Sequence, residues 1–176
     1  MSTLALVGLP GSGKSTVGRQ LARRLGCAFM DADQAIESRL GCSIRAFFER
    51  EGESAFRDVE QEVIDELTRH FRGVLATGGG AVLREANRIC LRERCRVIYL
   101  RSKPEEVFRR TRHDVNRPLL QVNDPMRRLR ELFEQRDPLY REAAHFVVDT
   151  GRPSVNAVVR QVLELVGGPP AEPPGA

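Results

Sequence analysis

One stretch constrains everything else in this chain: Gly8-Leu-Pro-Gly-Ser-Gly13-Lys14-Ser15. It fits G-x-x-x-x-G-K-[ST] at each fixed position. It also lies between a short apolar run, Thr3-Leu-Ala-Leu-Val7, and a helical pattern from about Lys14 to Leu25 that Gly26 stops. A strand feeding a glycine-rich turn that opens a helix is the setting in which this pattern cradles phosphate. The glycines let N–H groups turn inward around phosphate oxygens, and the helix N-terminus adds a favourable dipole. Gly11, Ser12, Gly13, Lys14, Ser15 and Thr16 are therefore the expected ATP-binding residues, with Lys14 bridging the β- and γ-phosphates and Ser15 ligating Mg²⁺. A glycine-rich turn without a ligand is the alternative, and both correct flanks count against it.

The rest of the chain alternates short apolar runs with helical patterns, the mark of a parallel α/β sheet. Further strands are predicted at Cys27–Met30, Val74–Ala76, Val97–Leu100 and Phe146–Val148. Helices are predicted at about 35–40, 43–49, 53–70, 85–94, 104–112, 124–144 and 154–166, the longest amphipathic one placing Phe56, Val59, Val63, Ile64 and Leu67 on one face. The stretch 113–124 lacks periodicity and reads as a loop, within a lid at about 112–124. A length of 176 residues suits one domain, here 1–166, and the Pro/Gly-rich tail 167–176 is expected to be disordered.

Charge narrows the partners. Of 28 basic residues only Lys14 and Lys103 are lysines, leaving 26 arginines against 24 acids, a net charge of +4. The arginines are dispersed among acids and no Trp is present to stack bases, so neither nucleic acid nor a membrane is expected as a partner. No apolar run approaches the roughly 18 residues of a membrane span, and the N-terminus lacks a charged segment of the secretory kind. A cytoplasmic monomer is the expectation. Cys27, Cys42, Cys90 and Cys95 have no zinc-type spacing and read as free, largely buried thiols.

Several residues could serve a second substrate. Asp31 and Asp33, two apart at the end of the second strand, would project to one face, one holding a metal through water and the other orienting a hydroxyl; helix capping by Asp33 is the competing reading. Gly78-Gly79-Gly80 either admits a ligand to bare backbone or is a plain tight turn. Arg57 and Glu60, three apart on a helix, either form an anchored cation or a surface ion pair. Arg117 in the lid, before Pro118, would stabilise charge over a γ-phosphate. Arg136 lies in Gln135-Arg-Asp-Pro-Leu-Tyr140, where Pro138 is expected to interrupt the helix.

In this order, G-L-P-G-S-G-K-S, D-A-D, F-R-D-V-E (Phe56 to Glu60), G-G-G, R-P-L-L (Arg117 to Leu120) and R-D-P-L-Y (Arg136 to Tyr140) resemble the shikimate kinase family over about residues 4 to 166. The resemblance implies a P-loop NTPase-type three-layer sandwich, a five-stranded parallel sheet flanked by helices, akin to nucleoside monophosphate kinases. It implies transfer of phosphate from ATP to the 3-hydroxyl of shikimate, with Mg²⁺, on the route to chorismate. Asp33 would bind the ring hydroxyls and activate the attacking one, Arg57 and Arg136 would clamp the carboxylate, and the backbone of Gly79 and Gly80 would touch the substrate. Ser15 would ligate Mg²⁺ directly and Asp31 through water. Lys14, Asp33 and Arg117 would be catalytic, and Arg110 with Arg152-Pro153 would sandwich the adenine. A kinase for gluconate or nucleoside monophosphates, or an inert nucleotide-binding module, are the rival readings; the first lacks this motif set, and the second would predict damage at Lys14, Asp33 or the arginines.

Overall fold

A computed structural model describes residues 2–112, 123–151 and 154–167. Five strands run β1 (Thr3–Val7), β2 (Phe29–Asp31), β3 (Val74–Ala76), β4 (Cys95–Arg101) and β5 (Phe146–Asp149). They form one sheet of order β2-β3-β1-β4-β5, and every pairing is parallel. The helices are α1 (Lys14–Leu25), α2 (Ala32–Leu40), α3 (Ile44–Glu51), α4 (Glu53–His70), α5 (Glu85–Arg94), α6 (Pro104–Thr111), α7 (Pro125–Ala143) and α8 (Val155–Gly167), with one 3₁₀ turn at Ala81–Leu83.

Strand alternation builds the three layers. Along β1, Ala5 and Val7 enter a core shared with Ile64, Leu91, Val107 and Leu132 of α4, α5, α6 and α7. Leu4 and Leu6 face the other way, into a core with Leu21 of α1 and Val159 of α8. Strand β4 divides likewise, Val97 and Tyr99 on one side, Ile98 and Leu100 on the other. A third, smaller cluster of Ile36, Phe56 and Val63 joins α2 to α4. Because all strands are parallel, their C-terminal ends share one edge, where open α/β sheets bind ligands. The turn after β1, Asp31, the glycines after β3, and Thr150 after β5 all fall there.

The expected sheet and helices are present, with differences at four places. Strand β2 is shifted to Phe29–Asp31, and α2 starts directly at Ala32 because the Asp31 side chain caps it by accepting from Asp33 N–H. Asp33 is therefore a helical residue, and capping falls to Asp31. Helix α7 continues through Pro138 instead of breaking there. The missing N–H costs one hydrogen bond, but Leu129 and Leu132 before it and Tyr140 and Ala143 after it are all buried, so packing on both sides holds the helix together. Of the four cysteines, all free, only Cys95 is buried; the other three are half-buried. The expected loop from 113 lies almost wholly outside the described residues, as does the tail from 168. Among the described residues no helix is long and apolar enough to cross a membrane.

Candidate active site

The loop between β1 and α1 turns on Gly11 and Gly13, at φ of 82° and 92°, a region open to glycine at little cost. Lys14 is buried, and its Nζ donates to Gly8 O at 2.8 Å and Leu9 O at 2.9 Å. Ser12 Oγ is buried without a hydrogen-bond partner among the described residues, while Ser15 is half-buried and Thr16 exposed. Ser15 Oγ donates to Asp31 Oδ2 at 2.9 Å. Asp31 thus divides its two oxygens between the loop and the cap of α2.

Two clefts open on either side of this loop. One, about 320 Å³, is walled by Ser12, Gly13, Thr16, Arg110, Thr150 and Val155. Arg110 leans across it, donating to Ser12 O at 3.3 Å and to Thr150 O at 3.1 Å. Its expected companions, Arg152 and Pro153, lie outside the described residues, as does Arg117.

The other cleft, about 740 Å³, gathers Pro10, Asp33, Arg57, Glu60, the three glycines and Arg136, with Ile44, Phe48 and Arg128 toward its rim. Asp33 lines this cleft and Asp31 does not: Asp31 ends β2 and Asp33 stands in the first turn of α2, a strand-to-helix corner across which the charge of Asp31 still acts on Asp33. Burial raises the Asp33 carboxyl to about 6, helped by the negative charges of Asp31 and Glu60 and opposed by Lys14. A carboxylate of that kind is suited to accept a proton near neutral pH.

The Arg57–Glu60 pair is no surface ornament. Arg57 Nη1 donates to Glu60 Oε1 at 2.8 Å, and the two side chains are 13% and 2% exposed. Arg57 also lies over the Phe56 ring at 5.1 Å and within 3.5 Å of Glu53. Burial still raises Glu60 above the usual carboxylate range, although Arg57 and Arg136 pull the other way. Arg136 is a different case. It is 7% exposed, its Nε is buried without a partner, and among the described residues no carboxylate lies within ion-pair distance. Glu60 is near enough to feel its charge but not to pair with it directly, and a buried guanidinium short of a direct partner is costly, so the cleft can accept an anionic ligand.

The three glycines make room. None of them has positive φ. A Cβ on Gly78 would stand 2.8 Å from Asp33 Oδ1, one on Gly79 2.5 Å from Pro10 Cδ, and one on Gly80 2.3 Å from Arg57 Nη2. The turn is therefore tight because the acid, the phosphate loop and the arginine all touch it.

Residue reasoning from the sequence passed over the side chains that brace these groups. Tyr140, four residues after Arg136 and hence on the same face of α7, donates its hydroxyl to Gly79 O at 2.5 Å. Asn87 Nδ2 donates to Ala81 O at 2.9 Å and Arg88 Nη1 to Val82 O at 2.8 Å, fixing the 3₁₀ turn. The i, i+4 spacing of Arg136 and Tyr140 was the available signal for the first; nothing local signals the others.

A glycine-rich phosphate-loop sequence, a largely buried carboxyl and two largely buried arginines share one strand edge, and the chain is similar to known proteins over nearly its whole length. The family model for shikimate kinase matches residues 10–166. The chain is 60% identical to a shikimate kinase of Paracidovorax citrulli, over 97% of each sequence. It is 59% identical to that of Burkholderia thailandensis, over 89% of this chain and 85% of the other. Among solved structures, shikimate kinase from Acinetobacter baumannii in complex with shikimate superposes with a TM-score of 0.92 at 44% identity, covering 98% of this chain and 96% of that one. A gluconokinase from Sinorhizobium meliloti, at 18% identity and a TM-score of 0.59, shares the fold alone, over 94% of this chain and 91% of that one. The order of motifs along the chain, the cleft they build and these likenesses agree: the chain belongs to the shikimate kinase family.

Proposed function

We propose that this chain transfers the γ-phosphoryl group of ATP to the 3-hydroxyl of shikimate, giving shikimate 3-phosphate and ADP. The observation that carries this reading is Arg136, a buried guanidinium without an acid partner among the described residues, in the cleft beside the phosphate loop. It supports a carboxylate-bearing substrate, since an arginine fork matches a carboxylate. Arg57, already steadied by Glu60, would supply the second arm of the clamp, and the N–H groups of Gly79 and Gly80 would complete it.

With the carboxylate gripped at the floor, the ring hydroxyls would face Asp33. Its carboxylate would accept the hydroxyl proton as the oxygen bonds to the γ-phosphorus and ADP departs, so phosphorus exchanges one oxygen for another and the proton ends on Asp33. Lys14, released from the carbonyls of Gly8 and Leu9, would meet the β- and γ-phosphates, with Gly11, Ser12, Gly13, Ser15 and Thr16 around them. Arg110, with Arg152 and Pro153, would hold the adenine in the smaller cleft. The lid at 112–124 would bring Arg117 over the γ-phosphate and keep water from competing with the hydroxyl.

Ser15 and Asp31 fit Mg²⁺: both offer hard oxygen donors, 2.9 Å apart. Ser15 would bind it directly and Asp31 through water; when bound it neutralises charge on the transferring phosphates. We further propose a cytoplasmic monomer with no nucleic-acid or membrane partner.

Coupled ADP release with shikimate, gluconate and nucleoside monophosphates tests the reading. Turnover that needs shikimate is expected; equal rates with all acceptors, or none with shikimate, would overturn it.

A further inference from the structure

The turn Gly78-Gly79-Gly80-Ala81 closes with a hydrogen bond from Ala81 N–H to Gly78 O at 3.1 Å. Gly80 sits at φ −99°, ψ 5°, the values of the third residue of a type I turn. A type II turn has the same ends with its central peptide flipped, and it needs φ near +80° at that residue, which glycine supplies freely. Glycine at both central positions therefore leaves the flip inexpensive, and the local sequence does not choose between the two forms.

The oxygen that would move in such a flip is Gly79 O, and it is the acceptor of the Tyr140 hydroxyl at 2.5 Å. Tyr140 is fully buried, and its ring lies against that of Tyr99 with centroids 4.9 Å apart, so the phenol cannot follow a departing carbonyl. Burial also pushes the hydroxyl up to about 12 against the pull of the neighbouring Arg136 guanidinium, which itself lies within hydrogen-bonding reach of the hydroxyl, so the phenol stays a donor to Gly79 O across the working pH range. In a trans peptide the C=O and the following N–H point in opposite directions. Holding Gly79 O toward α7 therefore holds Gly80 N–H away from it. Among the described residues neither Gly79 N–H nor Gly80 N–H donates to a protein acceptor, and both residues line the larger cleft.

We propose that Tyr140 is a positioning residue that latches the Gly79–Gly80 peptide in its type I orientation, keeping the Gly80 N–H a fixed donor for the substrate carboxylate beside Arg57 and Arg136. The latch rests on the reading of this cleft as the carboxylate site. It ties the turn to the helix that carries Arg136, so two arms of the clamp share one support. A buried hydrogen bond that merely stabilised the fold would raise melting temperature without biasing one substrate's binding.

Tyr140→Phe tests it, with Tyr99→Phe as the control; the latter keeps the ring and removes a buried hydroxyl that bonds Asp137 at 2.7 Å. Tyr140→Phe is expected to raise the shikimate KM about tenfold, the scale of one lost hydrogen bond, with kcat and the ATP KM changed less than twofold. Tyr99→Phe should leave the shikimate KM within twofold. In ¹⁵N spectra of the ligand-free protein, the Gly79 and Gly80 amides should give one set of resonances in the unmodified chain and split or broaden in Tyr140→Phe. An unchanged shikimate KM in Tyr140→Phe, an equal rise in Tyr99→Phe, or two amide sets in the unmodified protein would each overturn the latch. The spectra need no turnover, so they separate failure of the latch from failure of the kinase reading, which would show as an unmodified protein inactive on shikimate.

Discussion

Arg136 is buried with no carboxylate within ion-pair distance among the described residues, Glu60 being near but not paired with it, and folding bears part of that cost. Arg136→Met preserves the bulk and removes the charge. The ligand-free variant should melt no lower than the parent, because exchanging an unpaired buried ion for a hydrophobe is neutral or stabilising. Its shikimate KM should rise by about 10² or more, the scale of losing one partner of a buried charge pair; steady-state kinetics and a melting curve check both halves. Asp33 bears a related cost. Its carboxyl titrates at about 6 when folded against 3.8 as the ordinary value, so the folded state holds the proton more tightly and stability declines as pH rises between those values. Asp33→Asn should therefore melt a few degrees above the parent at pH 8 in metal-free buffer. The gap should shrink through pH 6 and vanish near pH 4; a gap that does not change with pH removes burial as its cause. The same variant should lose transfer by at least about 10²-fold while still binding ATP, measured by nucleotide titration. Which residues to suspect was legible in the motifs. Their burial was not, since Arg57 and Glu60 at i, i+3 look the same on a solvated face as on the floor of a cleft.

At the scale of elements, the chain is readable where local chemistry and tertiary packing agree. Gly26 stops α1, Pro104 opens α6, and the alternating apolar residues of β1 and β4 feed the two cores in turn. Reading fails where distant contacts decide. Pro138 alone argues for a break, yet the buried residues on both sides of it keep α7 whole. Asp31 and Asp33 look like strand neighbours until the Asp31 carboxylate caps α2 and turns the second acid onto a helix. Gly73 shows how closely the elements meet. A Cβ there would come within 2.3 Å of Ala28 O, the acceptor of Val74 N–H that sets β3 beside the chain leading into β2. Gly73→Ala should cost about 2–3 kcal/mol, as overpacking against rigid backbone does, and lower the melting temperature by roughly 5–10 °C. Calorimetry showing a shift below a degree would mean the backbone yields easily.

For the whole molecule, two cores on opposite faces of one sheet meet at the edge where both clefts open. A ligand bound there would touch elements of both layers, as Arg110 of α6 already does by donating to Ser12 O in the loop before α1. Shikimate at a hundred times its Kd should add about 2.7 kcal/mol of stability, a melting shift that Arg136→Met should abolish and that thermal scanning reads directly. Light scattering after size exclusion should give 19.8 kDa, the mass of one chain; a dimer mass would refute the proposed monomer. The crowding of the glycine turn has a last consequence, for evolvability. A Cβ at Gly78, Gly79 or Gly80 would displace Asp33, Pro10 or Arg57, so a change in this wall also moves one of the groups proposed to hold the substrate. The opposite wall, α3, has no fully buried residue, and it presents Ile44, Arg45 and Phe48 to the same cleft. A lineage drifting toward a different acid, or an engineer seeking one, would find its freedom on that helix, with the proposed carboxylate clamp left in place.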